Sequence, residues 1–174
     1  MINSRINFKN FRFKKRNLQI KKYLIEITKS SNAIINSLKK DYKYSYKKLL
    51  LRKLTKYQNL RVIGMGGSVL GFKAIHSFLF SKVKKKFTFH DNIESFDKID
   101  FKKKYLNLII SKSGNTIETI ANSNLFINKK NENIFVTENK VNFLNKLAAK
   151  LKSDIIHHNN FIGGRYSVLS EVGM

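Results

Sequence analysis

The spacing of apolar residues divides the chain into two parts. Between Asn17 and Leu38 the apolar positions recur at steps of three, four or seven residues, which places them on one helical face. Leu50, Leu54 and Tyr57 repeat this rhythm and predict a further helical element. From about residue 59 onward, short and nearly continuous apolar runs alternate with helical patterns of about ten to fifteen residues.

The alternating part predicts a parallel sheet covered on both faces. Strands that alternate with helices of this length indicate βαβ units, and uninterrupted apolar runs are typical of buried parallel strands. We therefore predict an α/β fold, a three-layer sandwich of flavodoxin-like type over residues 59–174, with an N-terminal helical extension over residues 1–58. The predicted strands lie near 60–63, 86–90, 106–110, 133–136 and 154–156, and the predicted helices near 68–81, 116–127 and 141–151.

Length and composition restrict the class of protein. A chain of 174 residues with 42 % apolar residues can bury one core. No apolar run approaches the roughly 20 residues that span a bilayer, so we expect no membrane partner. The chain has no cysteine, which excludes disulfides, thiolate catalysis and cysteine-bound metal, and is compatible with the cytoplasmic location that we expect.

The net charge of +24 needs its own interpretation. An excess of 35 Lys and Arg over 11 Asp and Glu ordinarily suggests nucleic acid or an anionic membrane as partner. Here the excess is spread along the chain and accompanies many Asn, Ile and Phe residues, which A/T-rich codons encode. We therefore expect no nucleic-acid partner and interpret the basic N-terminus as part of the protein. The absence of acids between Asp41 and Asp91 suits an anionic substrate.

Two loops carry the chemistry. Residues 62–68 read VIGMGGS and residues 109–116 read IISKSGNT, so each is a predicted strand that runs into the start of a helix. In a doubly wound sheet, ligands bind at this edge, where helix N-termini present free N–H groups. The glycines of the first loop let a ligand approach the backbone, and Ser68 adds a hydroxyl. The second loop has three hydroxyls, on Ser111, Ser113 and Thr116, and predicts a phosphate site.

Structural alternatives exist for both loops. A glycine-rich turn can serve only as a tight turn, and Asn115 with Glu118 has the spacing of a capping box. The dinucleotide-binding fingerprint fails because Val69 occupies its third glycine position, and the Walker ending is missing. We therefore expect no nucleotide and no other cofactor.

Three segments together resemble one family. Residues 111–119, SKSGNTIET, resemble the phosphosugar-binding loop of sugar isomerase (SIS) domains. With GMGGSVLG at 64–71 and FIGGRYSVLS at 161–170, the chain is similar to the glucose-6-phosphate isomerase family over about residues 60–174. The resemblance implies a metal-free aldose-ketose isomerase that interconverts glucose 6-phosphate and fructose 6-phosphate through an enediol. It implies catalysis by Arg165, which stabilises the enediol charge, and substrate binding by Gly67, Ser68, Ser111, Lys112, Ser113, Thr116 and Gly164.

Some catalytic residues of the family have no counterpart in this sequence, and their absence leads to further expectations. The family takes its general base, a Glu, and its ring-opening His and Lys from segments after the arginine motif, and none has a counterpart here. We therefore expect an N-terminal fragment or truncated product that binds a sugar phosphate without isomerising it, and a homodimer for the full-length form. Glu171 does not match the family's catalytic carboxylate, so we do not assign it as the base. The four histidines match no family motif, and we expect them to be packed or exposed.

Three functions remain open from the sequence. The chain is part of an isomerase, a phosphosugar-binding module without chemistry, or a basic nucleic-acid binder. The arginine motif favours the first, because a sensor has no need to stabilise an enediol.

Overall fold

A five-stranded parallel sheet forms the centre of the fold. The computed structural model describes residues 17–30, 32–93 and 103–172. Its strands follow the order β2-β1-β3-β4-β5, and every neighbouring pair is parallel. The strands are β1 (Asn59–Gly64), β2 (Lys86–His90), β3 (Leu106–Ile110), β4 (Glu132–Glu138) and β5 (Asp154–His158).

Helices cover both faces of this sheet, which confirms the predicted three-layer α/β fold. α4 (Gly67–Phe78) follows β1, α5 (Ile117–Phe126) follows β3, and α6 (Phe143–Leu151) follows β4. A 3-10 helix (Gly164–Leu169) follows β5. Three helices precede the sheet: α1 (Leu18–Lys29), α2 (Ala33–Ser37) and α3 (Lys48–Lys56).

Alternate strand residues supply the two apolar layers. Ile63, Ile109 and Phe135 pack with apolar residues of α5 and α6 on one face. Their neighbours Val62, Ile110 and Val136 pack with α4 and with the segment after the 3-10 helix on the other. Successive strand side chains point to opposite faces, so both neighbours in each pair are buried, as the uninterrupted apolar runs predicted.

The chain reverses its direction of travel across the sheet between β1 and β3. From β1 it crosses to β2 on one side, and from β3 it crosses to β4 on the other. The loops after β1 and β3 therefore leave the sheet toward opposite faces, and a crevice opens between them. This crevice lies where the two chemistry-bearing loops were predicted.

In the N-terminal helical extension, the structure has two helices where the apolar spacing predicted one. The stretch predicted to be helical from Asn17 to Leu38 is interrupted after Lys29, because Ser30 is extended and the Asn32 side chain caps the start of α2 by accepting from the N–H of Ile34. Ser and Asn favour such caps over helix interiors.

α3 packs on the sheet, and its Leu50 shares a core cluster with strand residues. The domain boundary at residues 58 and 59 stays a prediction. None of the helices in the described ranges is long and apolar enough to cross a membrane.

Candidate anion-binding site

A cleft of about 490 Å³ lies at the carboxyl ends of the central strands. It brings together segments that are up to about 100 residues apart in the sequence, and it contains six of the residues predicted to bind substrate. The lining residues are Met65, Gly67, Ser68, Lys112, Ser113, Thr116, Glu138 and Gly164. Ser111, also predicted, is buried beside this lining and contacts it through its hydroxyl.

Packing explains the first glycines of the β1–α4 loop. A Cβ at Gly64 would lie 2.6 Å from the carbonyl oxygen of Ile110 and 2.7 Å from the Val69 side chain. Gly66 is the N-cap of α4 and has φ 55°, ψ −125°, a conformation that glycine alone adopts readily. The fully buried Val69, which breaks the dinucleotide fingerprint, is thus accommodated by the missing side chain at Gly64.

Three hydroxyls meet in the β3–α5 loop. The oxygens of Ser111 and Thr116 lie 2.9 Å apart, and the Ser113 oxygen lies 3.5 Å from each of them. Ser111 also accepts the N–H of Gly114 at 3.1 Å, which fixes the tight turn. Gly114 has φ +68°, and the side chain of Asn142 fills the space where a Cβ would lie. A hydroxyl can both donate and accept, so the three groups can reorient to donate to one anion.

The predicted capping box at Asn115 and Glu118 is wrong. Thr116 is the N-cap of α5, and its side chain makes no capping hydrogen bond. Asn115 instead accepts the N–H of Phe143 at 2.9 Å, so it serves the start of α6. The first turn of α5 therefore keeps N–H groups without a side-chain cap, next to the hydroxyl cluster. A helix N-terminus in this state favours a bound anion.

Glu138 is a cleft residue that the sequence did not indicate. The predicted strand ended at Val136, because Thr137 and Glu138 are polar, yet β4 continues to Glu138 and pairs with His157 and His158. Buried polar positions at the end of a strand leave no periodic signal. The extra residues bring an acid to the edge of a cleft that otherwise favours anions.

Two lysines neutralise this acid. The Nζ atoms of Lys112 and Lys140 lie 3.2 Å and 3.0 Å from the carboxylate oxygens of Glu138. Burial alone would raise the pKa of Glu138, but hydrogen bonds from Lys140 and Lys112 outweigh it and hold the pKa below its ordinary value. Lys112 also donates to the carbonyl oxygen of Asn160 at 3.0 Å. The carboxylate is therefore ionised and paired, and Lys112 is fixed at the rim of the cleft.

The 3-10 helix closes the third side of the cleft. It packs directly on α4. The two elements lie so close that a Cβ at Gly71 would be 2.7 Å from the Cβ of Val168. Gly164 lines the cleft, and the space where its Cβ would lie is open for at least 4 Å. Arg165, the predicted catalytic residue, follows in the same helix, and its side chain lies outside the described part of the structure.

The histidines contact other parts of the fold. His76 and His90 pack against aromatic rings, at centroid distances of 5.0 Å from Phe87 and 4.3 Å from Phe126. Burial, assisted by the positive charge of Arg61, lowers the pKa of His90 to about 4. His158 is buried near Glu171. Among the described residues, no three His, Cys, Asp or Glu side chains are grouped so that they could hold a metal ion.

Solved structures share this architecture. The crystal structure of hypothetical protein TT0462 from Thermus thermophilus matches with a TM-score of 0.64 and 22 % identity, over 90 % of this chain and 42 % of that chain. Tagatose-6-phosphate ketose/aldose isomerase from Escherichia coli matches with a TM-score of 0.54 and 19 % identity, over 84 % and 40 %. The chain therefore shares its α/β fold, a parallel sheet with a cleft at the switch point, with a ketose/aldose isomerase.

Sequence comparison identifies the family. The phosphoglucose isomerase family model matches residues 45–174. Glucose-6-phosphate isomerase of Methanocaldococcus jannaschii is 36 % identical, over 71 % of this chain and 33 % of that protein. The enzyme of the same name from Borrelia garinii subsp. bavariensis is 33 % identical, over 68 % and 26 %. The chain belongs to the phosphoglucose isomerase family, and it spans between a quarter and a third of the length of these relatives.

Proposed function

We propose that the cleft binds the phosphate group of glucose 6-phosphate and fructose 6-phosphate. The observation that supports this most directly is the contact among the hydroxyls of Ser111, Ser113 and Thr116 beside the N-terminus of α5. Three hydroxyls exceed what a helix cap uses, and none of them caps α5. A phosphate accepts hydrogen bonds from hydroxyl and backbone donors alike, and the helix dipole favours its negative charge.

The other sides of the cleft suit the sugar. Gly67 and Ser68 face the phosphate loop from the start of α4, and Gly164 leaves open space on the third side. In this proposal Arg165, next to Gly164 in the chain, stabilises the charge that develops on the enediol. A guanidinium aimed at a forming oxyanion stabilises the transition state more than the ground state.

We further propose that the chain contributes this phosphate-binding site to a glucose-6-phosphate isomerase of glycolysis and gluconeogenesis. The proton transfer between C1 and C2 then depends on a Glu base, and ring opening on a His and a Lys, which match no motif in residues 1–174. No cofactor, a cytoplasmic location and a homodimeric full-length form are part of the same proposal.

One observation favours a second candidate, a phosphosugar-binding module without chemistry. The titratable side chains described in the cleft lining are Lys112 and Glu138, and Glu138 is engaged by two lysines. A general base has to accept a proton near neutral pH, whereas the pKa of this carboxyl lies below its ordinary value. Binding without turnover is therefore the expected behaviour of residues 1–174.

Calorimetric titration of residues 1–174 tests the binding proposal. Fructose 6-phosphate should bind, fructose should not, and inorganic phosphate should compete. A coupled assay on the same sample should detect no interconversion of the two sugar phosphates. Equal affinity for fructose would contradict the phosphate site, and robust turnover would contradict binding without chemistry. Salt-sensitive binding of DNA that fructose 6-phosphate does not displace would support the nucleic-acid alternative instead.

The Arg165→Ala variant separates the isomerase from the binding module. In a longer, active form of the protein, an isomerase should lose turnover far more than substrate affinity. A protein that only binds should lose affinity alone.

A further inference from the structure

His158, at the end of β5, has both ring nitrogens next to hydrogen-bond acceptors. Nε2 lies 3.1 Å from the carbonyl oxygen of Ile162, and Nδ1 lies 3.4 Å from a carboxylate oxygen of Glu171. A carbonyl oxygen only accepts, so Nε2 has to carry a proton. Within the described part of the chain, neither Nδ1 nor the facing Glu171 oxygen has a hydrogen-bond partner, and a carboxylate only accepts, so the contact is an ion pair when Nδ1 is protonated too. The side chain is fully buried, where an uncompensated charge is costly.

Glu171 is held on its other side by the helical extension. The Tyr42 hydroxyl and the Ser45 N–H donate to one carboxylate oxygen, at 3.1 Å and 3.4 Å. Burial alone would raise the pKa of Glu171, but the contact with His158 and hydrogen bonds from the Glu171 N–H, Tyr42 and the Ser45 N–H hold this pKa below the ordinary value. The carboxylate is therefore ionised, and a buried carboxylate requires a partner.

These contacts bracket the segment that carries the arginine motif. Ile162 immediately precedes Gly163 and Gly164, and Glu171 follows the 3-10 helix. His158 contacts both ends of this segment from β5, an edge strand of the sheet. Ser45 adds a second link to the same strand, since its hydroxyl donates to the carbonyl oxygen of His157 at 2.6 Å.

We propose that His158 is a positioning residue: as an imidazolium paired with Glu171, it fixes residues 162–171 against the anion cleft and links the helical extension to the site. Neither residue lines the cleft, so their effect on a ligand passes through the backbone of Gly163 and Gly164. The expected effect on sugar-phosphate affinity rests on the proposed function. The ion pair itself, and its role in fixing residues 162–171, do not.

Nitrogen-15 NMR of histidine-labelled, ligand-free protein at neutral pH tests the pair. His158 should show protons on both ring nitrogens. In Glu171→Gln the amide can still accept from Tyr42 but carries no charge, so Nδ1 should lose its proton while Nε2 keeps its bond to Ile162. Tyr42→Phe is the matched control: it removes a donor to Glu171 and should leave His158 doubly protonated. A singly protonated His158 in the unaltered protein would overturn the proposal without any variant.

Hydrogen exchange and ligand affinity test the positioning. In Glu171→Gln the amides of residues 163–167 should exchange about tenfold faster, and fructose 6-phosphate should bind about fivefold more weakly, as expected when a contact to a charged group is lost. His158→Gln, which keeps a donor for Ile162, should behave in the same way. If the variants lower the melting temperature but leave exchange and affinity unchanged, the pair is only structural and the positioning role is wrong. If the unaltered protein binds no sugar phosphate, the proposed function fails while the exchange result still decides the role of the pair.

Discussion

The two loops at the cleft look equally conspicuous in the sequence but differ in what fixes their residues. In the β1–α4 loop, Gly64 is required by contact with Ile110 and Val69, and Gly66 by its backbone conformation. In the β3–α5 loop, Ser111 accepts the N–H of Gly114 and Ser113 accepts the N–H of Asn115, whereas the Thr116 side chain does not cap the helix that it starts. The fold thus accounts for Gly64 and Gly66 and for part of the bonding of the two serines, and it leaves the Thr116 hydroxyl to contact a ligand. We therefore expect a folding defect from changes in one loop and a binding defect from changes in the other.

The largest effect is expected from Gly64→Ala. The new Cβ would overlap the backbone of β3 at Ile110, and backbone cannot move aside as a flexible side chain can. Equilibrium urea unfolding should show a loss of about 3 kcal/mol in the free energy of unfolding, the upper range for overpacking. A loss below about 1 kcal/mol would mean that β1 and β3 tolerate a wider spacing and that the glycine serves the ligand instead.

Thr116→Val should have the opposite profile. Valine keeps the shape of the side chain but removes the hydroxyl, so the free energy of unfolding should change by less than about 1 kcal/mol. Fructose 6-phosphate should bind about 10- to 100-fold more weakly, the range for a lost hydrogen bond to a charged group. The control is Thr88→Val, on the exposed face of the edge strand β2, which loses one long hydrogen bond of 3.5 Å to the Leu60 carbonyl oxygen and should leave affinity unchanged. Unchanged affinity in Thr116→Val would remove the main support for the phosphate site.

Gly164→Ala allows two glycines, Gly64 and Gly164, to be compared directly. Unlike Gly64, this glycine has open space where a Cβ would lie, so unfolding should change by only about 0.5 kcal/mol. The methyl group would occupy part of the cleft, and calorimetry should show about fivefold weaker binding of fructose 6-phosphate. A strong loss of stability with intact binding would place this glycine with Gly64, as a residue that the fold requires.

The effect expected from Glu138→Gln is also small, and it depends on pH. The folded-state pKa of Glu138 lies below its ordinary value of 4.5, so the ionised carboxylate contributes stability above that pH. The contribution is lost as the pH falls through the folded-state pKa. At about pH 6 the unaltered protein should be more stable than the variant by about 0.5–1 kcal/mol, and urea unfolding at successively lower pH should show this gap closing as Glu138 is protonated. A gap that persists in acid would assign the difference to packing.

The sheet could be predicted because its signal is local. The strands near 60–63 and 106–110 stand out as apolar runs, and both faces of these central strands are buried as that pattern requires. The helical extension was predicted less well. The apolar stripe of α1 is regular, yet Ile20 and Leu24 are 63 % and 60 % exposed, because periodicity indicates a helix without indicating what covers it.

Within the site, too, local contacts could be predicted from the sequence and contacts between distant residues could not. The hydroxyls of Ser111, Ser113 and Thr116 lie within six residues of sequence, so their convergence could be inferred from the loop. The ion pair of Lys112 with Glu138 joins residues 26 apart, and the bond of Asn115 to Phe143 joins residues 28 apart. No local pattern reports such a pairing, and it arises only when β3 and β4 lie side by side.

NMR mapping with fructose 6-phosphate tests the central claim most directly. Amide resonances of uniformly labelled residues 1–174 are followed during titration, with fructose and inorganic phosphate as separate references. The largest shifts should fall on residues 111–118, with smaller ones at residues 66–69 and 163–165. Phosphate should reproduce the shifts of the first group alone, and fructose should produce none. Largest shifts on the lysine-rich surface outside the cleft, or an identical response to fructose, would contradict a phosphosugar site built on the β3–α5 loop.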